Sequence, residues 1–228
     1  MKVFPFIINF HGIGEPSRAY EQQGEEAYWL DSENFARILD FIAETPSRAN
    51  LRITFDDGNL SDHSIAAHQL SERGLTAGFF VLVGKIGREG YLTKTLVREL
   101  SNSGFEIGSH GFDHVAWTQT DDVKLAREIG ESKKIIEDLI GKAVHSASIP
   151  FGRYNRHVLQ ELKRHGYRNI FSSDGGPRLT SALPTPRYTL QRDATPSTLS
   201  YQIKSRSGFI GRARTEARMF LRAIAPRR

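Results

Sequence analysis

The feature that most constrains the fold is a regular alternation of short apolar runs with helix-like segments. Apolar runs of strand length occur at residues 4–10, 51–55, 76–83, 105–108, 144–149 and 167–171. Segments with helical spacing of apolar residues occur between them, at residues 32–44, 64–73, 93–103, 120–140 and 155–165. Strands that alternate with helices of this length form a parallel sheet with right-handed crossovers. The sequence therefore predicts an α/β fold.

Polar clusters follow several of the predicted strands. They read DDG, SHGFDH, PFGRYN and SSDGG, at residues 56–58, 109–114, 150–155 and 172–176. In a (β/α) barrel the carboxyl ends of all strands surround one mouth, whereas in an open sheet they lie along a crevice. Because a barrel brings the four clusters together, we predict a (β/α) barrel of six or seven strand–helix units.

The distribution of charge divides the chain into a body and a tail. The whole chain of 228 residues carries a formal charge of +5, but residues 204–228 hold eight Lys or Arg and one Glu, a net of 8 − 1 = +7. The body is therefore slightly acidic, at 5 − 7 = −2. We predict a barrel domain at residues 1–203, a length that suits one large domain, and a basic amphipathic tail at residues 204–228.

The composition limits the classes of site and the compartment. The chain has no cysteine, which excludes disulfides and cysteine–zinc sites and fits a reducing compartment. Its first residues lack the apolar segment and cleavage site of a signal peptide, and no window approaches the roughly 20 apolar residues of a membrane span. We therefore expect a cytoplasmic protein, at most peripheral at the inner face of the membrane.

Two motifs indicate a metal site. Asp56 and Asp57 end a buried strand side by side, which is unfavourable unless a cation or solvent relieves their repulsion. His110 and His114 are four residues apart, a spacing that can aim two imidazoles at one point. Two histidines and one carboxylate leave positions open for water and substrate, as in catalytic metal sites. The alternatives are an ordinary Asp–Gly turn and two surface histidines.

These motifs resemble those of the polysaccharide deacetylases of the NodB-homology type. The family motif T-F-D-D-G is present unaltered at residues 54–58, and H-[ST]-x-x-H is matched at residues 110–114 with Gly111 in place of Ser or Thr. The third motif, R-x-P-[YF], is partial, because Ser148 stands where the arginine would be. The resemblance covers roughly residues 4–190. It implies an irregular (β/α) barrel with about seven parallel strands, and metal-dependent removal of N-acetyl groups from amino sugars.

The resemblance also implies a role for each matched residue. Asp56 would be the general base, and Asp57, His110 and His114 would bind one divalent metal ion. Zinc is our first choice, although the same ligands suit cobalt, nickel, manganese or iron. Phe151 and Gly152, which follow Pro150 in the third motif, would contact the substrate, with the Phe151 N–H at the oxyanion.

Two departures from the family pattern lead to two further hypotheses. The last family motif, L-x-H, supplies a histidine that protonates the leaving amine, but no histidine follows His165 here. We propose that His11, after the first strand, is the acid. We also propose that Arg187 takes over the orienting or substrate-binding role of the arginine absent at Ser148; the alternative is an ordinary exposed arginine.

The basic tail has one apolar side. Phe209, Ala213, Ala217, Phe220 and Ile224 recur at steps of three or four residues, and arginines lie on another side. Such a helix can bind an anionic membrane surface, or it can dock on the barrel with its arginines in solvent. Nucleic acid is not expected as a partner, because the body is acidic and no nucleic-acid-binding motif is present.

The sequence therefore predicts a polysaccharide deacetylase-type hydrolase acting on an acetylated saccharide, with a lipid-linked sugar or an exopolysaccharide as candidate substrates. Two alternatives remain. One is an amidase acting on a small non-sugar amide, and the other is a non-catalytic carbohydrate-binding relative. An iron oxygenase with two histidines and one carboxylate is disfavoured by the alternating strand–helix order.

Overall fold

The parallel strands form a sheet that curves into a distorted barrel, open at one seam. The computed structural model describes residues 5–46 and 48–224, without the side chains of Arg48 and Ile224. The strands are Phe6–Phe10 (β1), Gly12–Ile13 (β2), Trp29–Leu30 (β3), Leu51–Phe55 (β4), Ala77–Val81 (β5), Glu106–Ser109 (β6), Ser146–Ser148 (β7), Asn169–Ser172 (β8), Thr185–Pro186 (β9) and Tyr188–Thr189 (β10). Eight of them pair in the order β10-β1-β4-β5-β6-β7-β8-β9, all parallel, and β2 and β3 form a separate pair. The predicted barrel is confirmed.

Helices follow the strands as the alternation predicts. They are Ser32–Glu44 (α1), His68–Glu72 (α2), Lys94–Asn102 (α3), Asp122–Ala126 (α4), Ser132–Ile140 (α5), Arg156–Arg164 (α6), Pro196–Ser207 (α7) and Phe209–Ile224 (α8). Wider π-helical turns precede α2 at Asp62–Ala67 and join α4 to α5 at Arg127–Glu131. The predicted helix 120–140 is thus one continuous helix over residues 122–140, with a π-helical turn in its middle. Such turns are found preferentially at functional sites.

The seam of the barrel lies at a single residue, Arg187, between β9 and β10. The Arg187 N–H donates to Ser172 O of β8 (2.8 Å), and the Leu190 N–H donates to Asn9 O of β1 (2.9 Å). One extended segment therefore joins both edges of the sheet. The prediction of about seven strands did not include β9 and β10, because each has two residues and Pro186 weakens the strand pattern.

Alternating side chains of each strand divide between two layers. Phe10, Phe55 and Phe79 stack outside the strands, with ring centroids 5.1 and 4.8 Å apart, and pack against Phe35 of α1. The other face points into the barrel, where a second cluster holds Ile7, Phe80 and Phe171. Because strand side chains alternate, Asn9 shares the inward face with Ile7. The inward face of the strands therefore changes from this apolar cluster to polar side chains toward the mouth of the barrel.

The described part of the basic tail comprises the end of α7 and all of α8, and the predicted boundary at residues 203/204 falls within α7. Helix α8 docks on the body through buried Arg212, Thr215 and Met219, and Glu216 pairs with Arg178. Its apolar side faces outward: Phe209, Ile210, Phe220 and Leu221 are 74, 68, 62 and 61% exposed. The helix is thus docked on the barrel with its apolar side in solvent. The sequence predictions also included Phe4 and residues 225–228, which lie outside the described residues.

In the part of the chain that the structure describes, no helix combines the length and the apolarity needed to cross a bilayer.

Candidate metal centre and its cleft

Three predicted metal ligands meet at the mouth of the barrel. Asp57 follows β4, His110 follows β6 and His114 lies four residues further along the same loop. His110 Nε2 is 3.5 Å from Asp57 Oδ1, and His114 Nε2 is 3.6 Å from the same oxygen. Ligand atoms that share a tetrahedral zinc ion at ~2.1 Å lie about 3.4 Å from one another. The spacing of these atoms therefore suits a metal ion with three protein ligands.

The hydrogen bonds of these side chains leave the correct atoms for a metal. Asp57 Oδ1 is buried and has no hydrogen-bond partner among the described residues. His110 Nδ1 donates to Ser148 O (2.9 Å), so Nε2 keeps its lone pair for the metal. Burial lowers the pKa of His110 to about 4, and the neutral imidazole that results is the form that binds metals. The donor set thus fits a divalent cation.

The backbone at the site is strained. Among the described residues, the non-glycine positions with positive φ are Asp57 (78°), His114 (55°) and Phe151 (57°). Left-handed backbone costs side-chain-bearing residues of order 1 kcal/mol or more and persists where surrounding structure enforces it. All three residues line the same cleft, so the strain is concentrated where ligand atoms must be aimed.

Two side chains hold the histidine loop in place. Glu128, fully buried in the π-helical turn, accepts hydrogen bonds from the Phe112 N–H (2.8 Å) and the Asp113 N–H (3.1 Å). The side-chain amide of Gln22 lies 2.7 Å from His114 Nδ1. Neighbours of this kind fix the orientation of ligand imidazoles. Helix 122–140 and the loop after β2 therefore both position His114.

Asp56 is held by an arginine rather than directed at the metal ligands. Arg187 is fully buried, and its Nη1 and Nη2 donate to Asp56 Oδ1 (2.9 Å) and Oδ2 (2.6 Å). Asn9 Nδ2 and Ser148 Oγ each donate to Asp56 Oδ2, at 3.1 Å. Arg187 is therefore not an exposed arginine, and its contacts correspond to the orienting alternative.

The charges around Asp56 and Asp57 keep both carboxyl groups ionised. Burial alone would raise the pKa of Asp56, but the charge and hydrogen bonds of Arg187, with His110 and His11 nearby, lower it below its usual range. Burial also opposes ionisation of Asp57, whose pKa is nevertheless lowered by His114, His11 and His110. A metal ligand and a proton acceptor must both be ionised, and these two residues are.

His11 lies in the same cleft, directly after β1. Its ring centroid is 5.1 Å from that of Tyr28, and its Nδ1 is buried without a hydrogen-bond partner among the described residues. His11 lines the same cleft as Asp56 and Asp57. The sequence prediction that this histidine points into the mouth agrees with its position.

The third motif forms a tight turn beside the histidine loop. The Phe151 ring is 45% exposed and stacks on His114, with centroids 4.5 Å apart. Gly152 has a φ of 59°, and an added Cβ would lie 3.0 Å from the backbone nitrogen of Ser173. Gly152 is therefore required by the turn, whereas Phe151 offers an apolar surface at the cleft.

These residues line a cleft of about 600 Å³ that runs from the loop after β2 to the C-terminal helices. His11, Asp56, Asp57, His110, His114 and Phe151 all line it. The size is that of an ordinary small-molecule or oligosaccharide site.

The motifs in the sequence did not reveal three supporting residues. Asn9 was part of an apolar strand, and Ser148 was noted only as the place of an absent arginine. Glu128 lies on a predicted amphipathic helix with many charges. The available signal was the same for Asn9 and Glu128: a polar side chain on a face that the apolar spacing predicts to be buried.

Comparisons with known proteins agree with the fold and the motifs. The family model described as polysaccharide deacetylase matches residues 43–170, which is more than half of the chain. The chain is 29% identical over 180 residues to the protein YxkH of Bacillus subtilis, covering 75% of this chain and 64% of the relative. It is 28% identical over 132 residues to a peptidoglycan-N-acetylglucosamine deacetylase of Bacillus cereus, covering 57% and 60%. The chain thus spans less than two thirds of the length of these two relatives.

Two solved structures share the fold. The deacetylase PplD of Streptococcus pyogenes, in complex with acetate, superposes with a TM-score of 0.76 at 19% identity, covering 89% of this chain and 99% of that one. The polysaccharide deacetylase BC0361 of Bacillus cereus superposes with a TM-score of 0.71 at 20% identity, covering 86% and 68%. At these identities the likeness establishes the fold.

Proposed function

The chain belongs to the polysaccharide deacetylase family, and from this premise we propose that it is a metal-dependent hydrolase that removes N-acetyl groups from an amino-sugar-containing saccharide. The observation that carries the proposal is the meeting of Asp57, His110 and His114 beside an Asp56 carboxylate that Arg187 binds through two hydrogen bonds. A lipid-linked sugar and an exopolysaccharide are the substrates we consider first.

The reaction joins the oxygen of a water molecule to the acetamide carbon and breaks the carbon–nitrogen bond. Asp57, His110 and His114 would hold one divalent ion, which supplies Lewis-acid chemistry toward the carbonyl group. We place zinc first, because two histidines and one carboxylate are a common catalytic zinc set.

Side chains that line the cleft accept and donate the protons of the reaction. Asp56 accepts a proton from the attacking water, and Arg187 keeps this carboxylate ionised and fixed in direction. His11 donates a proton to the nitrogen of the leaving amine, and the products are acetate and the free amino sugar. The backbone N–H of Phe151 contributes to holding the oxyanion, and Gly152 shapes that turn.

The test combines elemental analysis of the purified protein with an assay of acetate release. We expect about one equivalent of a divalent metal, and acetate release from N-acetylated chitooligosaccharides that stops on chelation and in Asp56→Asn. Release from simple amides but from no saccharide would support the small-amide amidase instead. Saccharide binding by the metal-loaded protein without any acetate release would support the non-catalytic relative.

The role of His11 has its own test. General acid catalysis typically contributes 10²–10⁴-fold, so we expect His11→Ala to lower kcat by about that factor while the bound metal is retained. Variant His63→Ala, which changes a histidine paired with Glu99 outside the cleft, serves as control. Turnover by His11→Ala at the wild-type rate would remove this residue from the mechanism.

We further propose that α8 places the enzyme on an anionic membrane surface. The exposed side of the helix carries Phe209, Ile210, Phe220 and Leu221, and residues 204–228 have a net charge of +7. Exposed apolar residues together with positive charge are typical of interfacial helices. The double variant Phe209→Ser/Phe220→Ser should float less with vesicles rich in phosphatidylglycerol than wild type does. Equal flotation would refute this role.

A further inference from the structure

The two C-terminal helices, α7 and α8, form one end of the cleft. Arg206 of α7 and Arg218 and Arg222 of α8 line it, together with Asp174 from the loop after β8. Arg222 forms an ion pair with Asp174, whose carboxylate also accepts from Tyr154 and Ser172. The Asp174 carboxylate at this end of the cleft is thus already engaged in an ion pair and two hydrogen bonds.

Among the described residues, Arg206 has no acidic partner. Its stem packs on the backbone of the Gly175–Gly176 turn, where an added Cβ on Gly176 would be 3.0 Å from Arg206 Cβ. Its guanidinium lies 5.1 Å from the centroid of the Tyr188 ring, and its Nε donates to Gln202 (2.7 Å). The described residues offer the two Nη atoms no hydrogen-bond partner. The stem is therefore packed against this turn, and Arg206 lines the cleft.

Arg218 is bound only through neutral groups. Its Nη2 donates to the carbonyl oxygens of Asp174 and Gly175, and within residues 5–46 and 48–224 it forms no ion pair. These contacts hold the side chain at the cleft without neutralising it. Two guanidinium groups, from two different helices, are therefore left without acidic partners at one end of the cleft.

At the opposite wall of the cleft, the positive side chains are paired with carboxylates. There Arg18 pairs with Glu25 (2.5 Å) and Lys85 pairs with Glu21, so two positive and two negative groups cancel. At the centre Arg187 pairs with Asp56. Among the described residues that line the cleft, the C-terminal end therefore has an excess of positive charge, because Arg206, Arg218 and Arg222 lie there with the single carboxylate of Asp174.

We propose that Arg206 and Arg218 form a subsite for a phosphate group attached to the N-acetylated sugar. The inference deepens the proposed function and rests on it for the identity of the sugar. Guanidinium groups bind phosphate oxygens through pairs of short, charge-assisted hydrogen bonds. A carboxylate offers two oxygens to these guanidinium groups, whereas a phosphate monoester offers three terminal oxygens and a diphosphate offers four or more.

The phosphate can come from a lipid-linked sugar or from a soluble sugar phosphate. Arg218 is next to Ala217 in α8, at the border of the exposed apolar side that includes Phe220 and Leu221. The subsite is therefore adjacent to the surface proposed to meet the membrane. The chemistry of recognition is the same for both sources, and the substrate experiment distinguishes them.

The first experiment measures the subsite without requiring catalysis. Glucose 1-phosphate, which has no amide, is titrated by calorimetry into the metal-loaded protein and into the double variant Arg206→Gln/Arg218→Gln. Loss of charge-assisted hydrogen bonds should weaken binding about tenfold or more. Arg214→Gln, on the same helix but outside the cleft, should bind as wild type. Equal affinity in wild type and the double variant, or no binding by either, would overturn the subsite.

The second experiment compares substrates. The double variant should raise KM about tenfold for UDP-N-acetylglucosamine and for polyprenyl-diphospho-N-acetylglucosamine in vesicles, with kcat and the KM for neutral N-acetylchitotriose unchanged. A larger effect on one substrate identifies the source of the phosphate. An equal change in KM for the neutral saccharide would overturn the inference. Absence of acetate release from every substrate, with phosphate binding intact, would contradict the proposed function alone.

Discussion

At the scale of single residues, Arg187 is the buried cation that pairs with Asp56. The family pattern places an arginine at the position of Ser148, but in this chain the guanidinium reaches Asp56 from the seam of the barrel. Ser148 itself bridges the two, accepting from Arg187 Nη2 (2.6 Å) and donating to Asp56. The guanidinium thus contacts Asp56 from the seam between β9 and β10 and not from residue 148.

We predict that Arg187→Gln destabilises the protein by about 3–5 kcal/mol, because it leaves a buried carboxylate without its partner. Adding Asp56→Asn should recover part of this loss, since no unpaired charge then remains. Urea denaturation at pH 7 measures the free energies of unfolding. Arg164→Gln, which removes an exposed pair with Glu161, should cost less than about 1 kcal/mol. Wild-type stability of Arg187→Gln would show that Asp56 does not need the pair.

At the scale of secondary-structure elements, the π-helical turns place polar groups behind the site. The turn at 127–131 carries Glu128, which holds the histidine loop through two backbone N–H groups and the indole N–H of Trp117 (3.4 Å). The turn at 62–67 begins with Asp62, which is fully buried. Each turn brings a fully buried carboxyl group to the inner face of its helix.

Glu128→Gln should loosen the loop that carries His110 and His114, because a carboxylate that accepts three donors is replaced by an amide with one oxygen. Changes in groups that support ligand residues typically cost 10–100-fold in metal affinity. We expect a loss in that range, measured by competition with a chromogenic chelator. Glu131→Gln, an exposed neighbour on the same helix, should bind metal as wild type does. Unchanged affinity of Glu128→Gln would contradict this role.

Asp62 should make stability depend on pH. Neither of its oxygens has a hydrogen-bond partner among the described residues, and burial, with the charges of Asp57 and Asp56, raises its pKa well above the usual value. Between the unfolded pKa of about 3.9 and this raised pKa, the folded state binds one more proton than the unfolded state. Stability contributed by the protonated group is therefore lost as pH rises through that window.

The corresponding experiment compares Asp62→Asn with wild type by urea denaturation at pH 5 and pH 8. The variant should lose less stability between the two pH values than wild type, because the amide does not ionise. Asp138→Asn, which changes an exposed carboxyl group, should follow the wild-type profile. Parallel pH profiles for Asp62→Asn and wild type would show that Asp62 is not protonated in the folded state.

At the scale of the whole molecule, the cleft is shared by the barrel mouth, the loop after β2 and the C-terminal helices. The candidate metal ligands come from two separate strand ends, so an ion bound there would link them in the folded state only. A ligand that binds only the folded state stabilises it by about 2.7 kcal/mol at 100 times its Kd. Metal binding should therefore appear in the thermal stability of the entire chain.

We expect saturating zinc to raise the unfolding midpoint by about 5–10 °C over the chelator-treated protein, as that free energy implies for a chain of this size. Asp57→Asn should lose most of the shift, and His63→Ala should keep it. Differential scanning calorimetry provides the measurement. An equal shift in Asp57→Asn would place the ion at a different site.

The sequence by itself determined the alternating fold, the barrel and the candidate metal triad, because these depend on local periodicity and on motifs at strand ends. Patterns of this kind can be recognised from residues that are close together in the sequence. The seam at Arg187, the support from Asn9 and Glu128, and the outward apolar side of α8 were decided by the tertiary structure. Each of these depends on which distant segments meet: Arg187 bonds Asp56 across 131 positions of the chain. No local spacing encodes such a contact, because only closure of the barrel brings the two residues together.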